Sequence, residues 1–507
     1  TAQYSKDNNP TACRGRRAHS HAPDVRAPRG HWYSDAPEMG VGMDDQALLE
    51  RLRVELESPN ATRLAHTLAA LIAAGEIVPG YKLPPIRMLA QALGISPAAV
   101  GQSWKVLRTK GIIETKTRGG SVVVGPQRSQ RPVRFSQLSH SADGARIDLG
   151  RPRPELTLLP DLGGALAEVG LRRDGLNLAD PPPITTGLRD AVMANWPFAA
   201  DDVVAVHRAI DGVEQTLMAL VSRGDAVAVE DPTVPRVLDI LDRIGARVIP
   251  IAWLEDGPDP RELMRALHAG ATTFVYQPNG HSPTGRSVSD AWLAQIAALL
   301  GRGDALVVEL DLFPLLHPAR KTLGTRLPEV TTLVEGYSHS HGPDMQAAVV
   351  GGPSEVIERV AQQIAYSHRW VSRVLQDTLA ALLTSADASA QVTRAADEYQ
   401  RRHARAREWF AARGFAISQQ TSAPSLWIPV VDDAAVAQVL AQQGIGVLPA
   451  RVFERRRAPQ RHIHLNGAFD FDEQLPNYVQ IVEAANGVAE RSLADRRARY
   501  RAVEARG

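Results

Sequence analysis

The sequence predicts an α/β protein built from a small helix-turn-helix module with a β-wing, a large domain with a parallel-rich sheet, and a small α+β domain. Short apolar runs alternate with helical stretches after residue 147, and they are short enough to be buried parallel strands. A chain of 507 residues also exceeds what a single core accommodates. The predicted strands lie at residues 226–229, 248–251, 273–276 and 305–308.

Composition places the chain among globular proteins, with 44% hydrophobic and 22% charged residues. A single cysteine, Cys13, excludes an internal disulfide framework and a cysteine-based zinc site, which fits a reducing cytoplasm. No apolar run approaches the roughly 20 residues of a membrane span, and the polar start lacks the apolar core of a signal peptide. We therefore expect a cytoplasmic protein without a membrane partner.

Changes in composition along the chain predict six segments. They are a disordered extension (1–42), a helix-turn-helix module with a β-wing (43–125), a polar linker (126–146), a large domain (147–394), a small domain (395–490) and an Arg-rich tail (491–507).

The second of these segments has the pattern of a winged helix-turn-helix. Amphipathic stretches at 67–74, 86–93 and 96–107 predict three helices, and Gly94-Ile95-Ser96 predicts the turn between the last two, with Ser96 as N-cap. Residues 111–124 read as strand, glycine turn and strand, which predicts the wing. Residues 61–125 carry eight Lys and Arg against two acidic residues, a local net charge of +6 on a chain whose total is +1. This concentration indicates a polyanionic partner at one end of the chain.

The fixed spacings in residues 79–111 closely resemble the GntR family of winged helices, through Pro79-Gly80-x-Lys82-Leu83-Pro84, Arg87-x-Leu89-Ala90 and Leu93-Gly94-Ile95-Ser96. This resemblance implies binding of double-stranded DNA. The positions that it implies face DNA are Arg87, Ser96, Gln102, Lys105, Arg118 and Gly119. The family usually has Arg and Thr after the capping serine, whereas this chain has Pro97-Ala98-Ala99. A winged helix that binds a protein partner on a pseudoenzyme scaffold remains an alternative.

Residues 336–348 resemble the cofactor-lysine segment of the fold-type I aminotransferases, which reads roughly S-F-S-K-x-x-x-P-G-x-R-x-G. Ser338 and Pro343 are in register, but His339 stands at the lysine and Gln346 at the arginine. An imidazole cannot form the internal Schiff base that pyridoxal phosphate chemistry requires. The only lysine after residue 116 is Lys321, which precedes this segment.

Further landmarks extend this resemblance over residues 147–490. Residues 212–215 resemble the G-x-Q-Q turn whose backbone amides hold the cofactor phosphate. Three further motifs of the family have counterparts here: P-G-D-x-V-x-V-E-D-P-x-Y at residues 224–233, N-P-T-G at 282–285 and E-D-D-x-Y at 309–313. Leu310 and His339 are 29 residues apart, a separation typical of the cofactor aspartate and lysine in that family.

At the positions where the resemblance implies contacts with cofactor or substrate, the residue types differ from those of the family. Val234 stands where the family has an aromatic residue that stacks on the pyridine ring. Leu310 stands at the aspartate that holds the pyridinium nitrogen, and Phe313 stands at the tyrosine that bonds to the ring hydroxyl. A register one residue later would give Asp311 the role of the aspartate. The altered positions are Val234, Ser282, Leu310, Phe313, His339, Gln346 and His464. Together they predict that the domain forms no covalent pyridoxal phosphate adduct.

Three histidines permit a second interpretation of this region. Imidazoles of His339, His341 and His464 converging on the former cofactor cavity could bind a metal or an anionic effector, but lone histidines usually fill space and hydrogen-bond. We expect no metal site. Non-covalent pyridoxal phosphate or another effector stays open.

A GntR winged helix joined by a linker to such a domain resembles the MocR subfamily of transcription regulators. The resemblance implies a DNA-binding homodimer that is not an enzyme, with the aminotransferase-like domain serving dimerisation and effector sensing. The alternatives are a pyridoxal phosphate-dependent enzyme or cofactor-responsive regulator, and the protein-binding scaffold named above.

Overall fold

The computed structural model divides into two compact units, Thr1–Arg128 and Ser129–Gly507. The structure describes residues 45–56, 60–74, 76–77, 80–109, 112–116 and 120–123 of the first unit. In the second it describes residues 134, 145–171, 178–317, 320–367, 369–422, 424–456, 458–470 and 474–504. The predicted extension (1–42) and nearly all of the linker (126–146) lie outside these ranges. Within them, every helix is too short or too polar to cross a bilayer.

The first unit is a four-helix cluster followed by a two-stranded wing. Its elements are α1 Asp45–Glu55, α2 Ala61–Ala74, α3 Ile86–Leu93, α4 Pro97–Thr109, β1 Ile113–Lys116 and β2 Gly120–Val123. The two strands pair antiparallel, from Ile113 with Val123 to Lys116 with Gly120. One apolar cluster, which includes Leu48, Leu68, Leu89, Trp104 and Ile113, joins all four helices to the wing. The winged helix-turn-helix prediction is therefore confirmed.

A seven-stranded sheet forms the centre of the second unit. Its strands are β4 Asp202–Val206, β5 Ala226–Asp231, β6 Arg247–Ala252, β7 Ala271–Tyr276, β8 Leu306–Asp311, β9 Thr331–Gly336 and β10 Ala348–Gly352. Their order across the sheet is β4-β10-β9-β8-β7-β5-β6. Strand β10 pairs antiparallel with both of its neighbours, and all the other pairs are parallel. The four predicted strands correspond to β5 to β8, so the α/β layered fold is confirmed.

Helices cover both faces of this sheet. They are α5 Leu162–Leu171, α6 Thr186–Met193, α7 Ala209–Leu220, α8 Pro235–Ile244, α9 Pro260–His268, α10 Asp290–Leu300, α11 Ser338–His341, α12 Ser354–Ala365, α13 Arg373–Thr384 and α14 Ala386–Ala412. One face packs on α7, α8 and α12 through a cluster that includes Val213, Leu238, Val360 and Leu310. The other face packs on α5, α6 and α13 at one end and on α9 and α10 at the other. Side chains of alternating direction along each strand produce these two cores.

The C-terminal part of the second unit is the predicted small α+β domain. Its elements are β11 Ser425–Val430, α15 Asp433–Gln442, β12 Ile445–Gly446, β13 Leu448–Pro449, β14 Arg461–Asn466 and α16 Leu475–Glu504. Strands β11, β14 and β13 form an antiparallel sheet, and β12 pairs in parallel with the short strand β3, Ile147–Asp148. Helix α16 continues through residues 491–504, where the sequence predicts the Arg-rich tail.

The prediction that residues 212–215 form a phosphate-cradling turn is wrong. Gly212 lies inside α7, and its amide donates to the carbonyl of Arg208 at 2.8 Å, within the helix. A Cβ at this position would stand 2.7 Å from Val334 Cγ1, so the glycine serves close packing of the helix on the sheet. The free amides of the α7 N-terminus begin at Ala209, one turn earlier.

Candidate functional site

The turn before α4 fixes the orientation of that helix. Helix α3 ends at Gly94, whose φ of 66° is left-handed and whose amide donates to the carbonyl of Ala90. The Ala99 amide donates to Ser96 Oγ at 3.2 Å, which makes Ser96 the N-cap of α4, as its residue type predicts. Both ends of the turn are therefore defined by local chemistry.

The inner and outer faces of α4 differ in composition. The buried residues are Val100, Ser103, Trp104 and Leu107. Ser103 Oγ donates to the Ala61 carbonyl at 2.7 Å, which fastens α4 to α2. The outer face exposes Gln102 and Lys105, two of the predicted DNA-facing residues.

The remaining predicted DNA-facing residues divide into those that the structure describes and those that it does not. Arg87 on α3 and Ser96 at the turn are exposed. Arg118 and Gly119 lie outside the described residues, so their placement stays a prediction. Four of the six positions are thus on the surface of the module, where a nucleic acid can reach them.

Two basic residues beyond the predicted set are also exposed on the module. Lys82 is exposed, and its backbone forms an isolated antiparallel β-bridge with Val122 of the wing. Its side chain lies over Gly120, where an added Cβ would be 3.1 Å from Lys82 Cε. Arg108 is exposed in the last turn of α4. The sequence counts both in the local charge without assigning them to DNA, and the position of Lys82 depends on how the wing folds back.

At the aminotransferase-like site, the two positions that would flank a pyridine ring are aliphatic and buried. Val234, the residue before α8, and Leu310 on β8 belong to the same buried apolar cluster. Asp311, the next residue on β8, is buried and has hydrogen-bond partners of its own. Its carboxylate accepts from Asn279 Nδ2 at 3.2 Å and from the Phe313 amide at 2.9 Å. The register that would give Asp311 the role of the aspartate stays an alternative.

The structure brings Phe313 and His339 together, as the resemblance implies for the residues at these positions. Their ring centroids are 4.6 Å apart, with the planes tilted by 47°. The adjoining cavity, which also borders Leu316, Tyr399 and Ala468, has a volume of about 20 Å³. Ligand pockets usually measure about 300–1,000 Å³, and about 20 Å³ is close to the space for one water. Burial lowers the pKa of His339 to about 4, so its imidazole is neutral near pH 7.

Gln346 and Ser282 make contacts within the protein. Gln346 has a left-handed backbone, with φ 43°, and its Nε2 donates to the Pro343 carbonyl at 2.7 Å. Its Oε1 accepts from Arg208 Nε at 2.7 Å, which places a guanidinium at the N-terminus of α7. The sequence did not indicate Arg208, because the predicted turn at residues 212–215 is one helical turn later than the observed start of α7. The Ser282 amide donates to Gln277 Oε1 at 3.2 Å.

His464 has hydrogen-bond partners on both ring nitrogens. Nδ1 lies 2.9 Å from the Gly150 carbonyl oxygen, and Nε2 lies 3.2 Å from Ser425 Oγ. His341 Nδ1 lies 2.9 Å from Ser340 Oγ. Burial lowers the pKa of both histidines to about 4. In the part of the chain that the structure describes, no three or more His, Cys, Asp or Glu side chains form a group that could hold a metal.

Lys321 is engaged away from the cofactor segment. Its ammonium pairs with Asp290 at the start of α10. Its backbone amide donates to Asn279 Oδ1 at 2.8 Å, and its carbonyl accepts from Asn279 Nδ2 at 3.0 Å. These contacts hold the residue beside β8 through both its side chain and its backbone.

Comparison with known proteins identifies both parts of the chain. Residues 177–463 match the family described as aminotransferase class I and II, which is more than half of the chain. The chain belongs to the aminotransferase class I and II family. Residues 60–123 match bacterial regulatory proteins of the gntR family. The protein is thus a transcription regulator with a GntR-type helix-turn-helix module and an aminotransferase-like domain.

Individual relatives agree with this assignment. The vitamin B6 salvage pathway transcriptional repressor PtsJ of Salmonella typhimurium is 28% identical over 407 residues, covering 77% of this chain and 90% of the relative. The HTH-type pyridoxine biosynthesis transcriptional regulator PdxR of Corynebacterium glutamicum is 23% identical, covering 64% of this chain and 73% of the relative.

A solved structure, N-succinyldiaminopimelate aminotransferase from Mycobacterium tuberculosis, shows the same fold in the second unit. It has a TM-score of 0.62 at 20% identity and covers 69% of this chain and 96% of its own. At this identity the likeness establishes the fold alone.

Proposed function

We propose that the protein regulates transcription by binding duplex DNA through α4, the turn before it and the wing, and that it does so as a homodimer. The observation that carries this proposal is the outer surface of the winged helix. Arg87, Gln102 and Lys105 are exposed there on elements whose other side is an apolar core. Recognition helices reach base edges in the major groove, while neighbouring basic side chains hold phosphates.

The test of DNA binding is the affinity of the full-length chain for duplex DNA as a function of salt. The logarithm of the binding constant should fall linearly with the logarithm of the salt concentration, with a slope of about −0.9 for each phosphate neutralised. A genome-wide binding map would then give the operators. Binding that is absent, or insensitive to salt, would favour the protein-binding alternative instead.

We further propose that the aminotransferase-like domain is not an enzyme and forms no Schiff base with pyridoxal phosphate. The residues present do not fit the covalent cofactor. An imidazole stands at the lysine position, Leu310 has no charge for a pyridinium nitrogen, and the space beside Phe313 and His339 is about 20 Å³. An effector of this domain would therefore bind non-covalently.

We infer the homodimer from the aminotransferase-like architecture of the second unit. Large apolar side chains are exposed in the second unit, including Leu156, Leu171 and Tyr366, whose exposed fractions are 79%, 83% and 88%. Single exposed apolar side chains are common on protein surfaces, and they mark an interface only where they form one contiguous patch. Interfaces of permanent dimers commonly bury roughly 2,000 Å² or more, so we expect dimerisation without added pyridoxal phosphate. Light scattering that gives the mass of one chain at micromolar concentration would contradict it.

A further inference from the structure

The outer face of α4 carries a stripe of three residues with distinct chemistry. Ala98, Gln102 and Lys105 are spaced i, i+4 and i+7, so they lie on one side of the helix, and all three are exposed. The opposite side is the buried one, with Trp104 and Leu107. From its N-terminal end, the surface therefore presents a methyl group, then an amide, then an ammonium group.

Gly101 lies beside this stripe, in the interior of α4, where glycine is a poor helix former. A Cβ added to Gly101 would meet no atom within 4 Å. The contrast with Gly212 is informative, because a Cβ there would collide with Val334 Cγ1 at 2.7 Å. Internal packing accounts for the glycine in α7 and does not account for the one in α4. The glycine at position 101 is explained if a binding partner approaches the backbone of α4 closely from outside the module.

Together, Pro97, Ala98 and Gly101 make the N-terminal part of this surface shallow and uncharged. Ser96 caps the helix with its hydroxyl, so the first turn has no long side chain pointing outward. The sequence between residues 96 and 104 contains neither arginine nor lysine, the residues that most often read guanine. Gln102 is the first outward side chain along the helix that both donates and accepts hydrogen bonds.

We propose that α4 reads A·T base pairs, with Gln102 bound to an adenine and Ala98 packed against a thymine methyl, while Gly101 lets the helix lie close to the base edges. A glutamine amide matches the donor N6 and the acceptor N7 of adenine, and small apolar side chains contact the methyl group of thymine. The inference rests on the proposed function, since it presupposes that α4 enters the major groove. Lys105 adds positive charge that attracts any DNA sequence.

The experiment begins with selection of the full-length protein on a library of random duplexes. The selected half-sites should contain A·T pairs at their centre. The best duplex is then remade with 7-deazaadenine, which lacks the N7 acceptor, or with uracil in place of thymine, which lacks the methyl group. Each replacement should weaken binding, and Gln102→Ala should make the protein indifferent to the 7-deazaadenine. The expected loss for one bidentate base contact is about 5- to 150-fold in affinity.

Gly101→Ala separates close approach to DNA from folding. Alanine is the better helix former and finds open space here, so the thermal midpoint should stay the same or rise. If the helix lies against the bases, the added methyl group should lower affinity for the selected duplex by about 5- to 150-fold, as overpacking does elsewhere. Gly170→Ala is the matched control. Gly170 is also helical and exposed, with no atom within 4 Å of an added Cβ, and its replacement should leave DNA binding unchanged.

The outcomes distinguish this inference from the proposed function. If the protein binds random duplexes in a salt-sensitive manner but selects G·C pairs, or if Gly101→Ala and Gln102→Ala bind the selected duplex like the unaltered protein, only the A·T readout is overturned. If the unaltered protein binds no duplex at any salt concentration, the proposed function fails and the readout fails with it. Loss of affinity in both variants, with folding intact, supports the inference.

Discussion

The two units of this protein have kept different properties of their families. In the winged helix, the exposed positions retain polar and basic side chains such as Arg87, Gln102 and Lys105. In the aminotransferase-like domain, the sheet and its helices are complete, but Val234 and Leu310 at the cofactor positions have joined an apolar core. Packing alone is enough to preserve a fold, whereas function depends on the particular side chains of a site. The second unit is therefore informative about architecture, and the first about activity.

The strongest test of this contrast is the attempt to restore aminotransferase chemistry. With pyridoxal phosphate added and borohydride used to trap any aldimine, peptide mapping of the unaltered protein should show no reduced adduct. His339→Lys alone should not recover transamination, because Leu310 and Phe313 still lack the groups that bind the ring, and the adjoining cavity is about 20 Å³. The effect is all or none, and an active aminotransferase serves as the positive control. An adduct on Lys321 would show that the predicted register of the cofactor segment is wrong.

The next largest effect concerns the charge of the winged helix. Replacing Lys105 with Ala should weaken binding to all duplexes about tenfold and reduce the slope of the salt dependence by about 0.9, the value for one phosphate contact. Binding measured by fluorescence anisotropy at several salt concentrations checks both quantities. Arg302→Ala, at an exposed position of the other unit, removes the same charge and is the control for a general change of charge. An unchanged slope would remove Lys105 from the DNA interface.

Much of the architecture could be predicted because it depends on local pattern. The strands β5 to β8 follow from runs of apolar residues, and the turn before α4 follows from Gly94 and Ser96, whose roles are set by their own backbone and side chain. The family spacing is the 29 residues between Leu310 and His339, and the contact of His339 with Phe313, three residues after Leu310, agrees with it.

What could not be predicted depends on contacts between distant segments. Gly212 resembles a turn glycine in sequence, but the sheet packs so close to α7 that a glycine is needed inside the helix. The positions of Lys82 beside the wing and of Arg208 beside Gln346 likewise result from tertiary packing. A single sequence contains no local signal for these three features.

A smaller effect is expected from pH, through the buried His464. Burial lowers its pKa to about 4, whereas in the unfolded chain it is about 6.5. Between these values the unfolded chain binds more protons, so stability is fully present above about pH 6.5 and is lost as pH falls toward 4. One such group contributes at most about 1.4 kcal/mol per pH unit in that window. Denaturant unfolding at pH 7.5 and pH 5 measures it, and His464→Gln should show a weaker pH dependence than the unaltered protein. An equal dependence in both would contradict the assignment.

The smallest effect compares the same substitution in two helices. Gly212→Ala places a methyl group 2.7 Å from Val334 Cγ1, between α7 and the sheet, and overpacking of this kind costs about 1–3 kcal/mol. The better helix propensity of alanine contributes about 1 kcal/mol in either helix, so Gly212→Ala should be less stable than Gly170→Ala by the overpacking cost, about 1–3 kcal/mol in the free energy of unfolding. Gly170→Ala in α5, where the methyl group meets no atom within 4 Å, should instead be neutral or stabilising. Denaturant midpoints of the two variants decide the point. A Gly212→Ala protein as stable as its Gly170→Ala counterpart would mean that α7 can move away from the sheet, and the close packing inferred for this unit would then be incorrect.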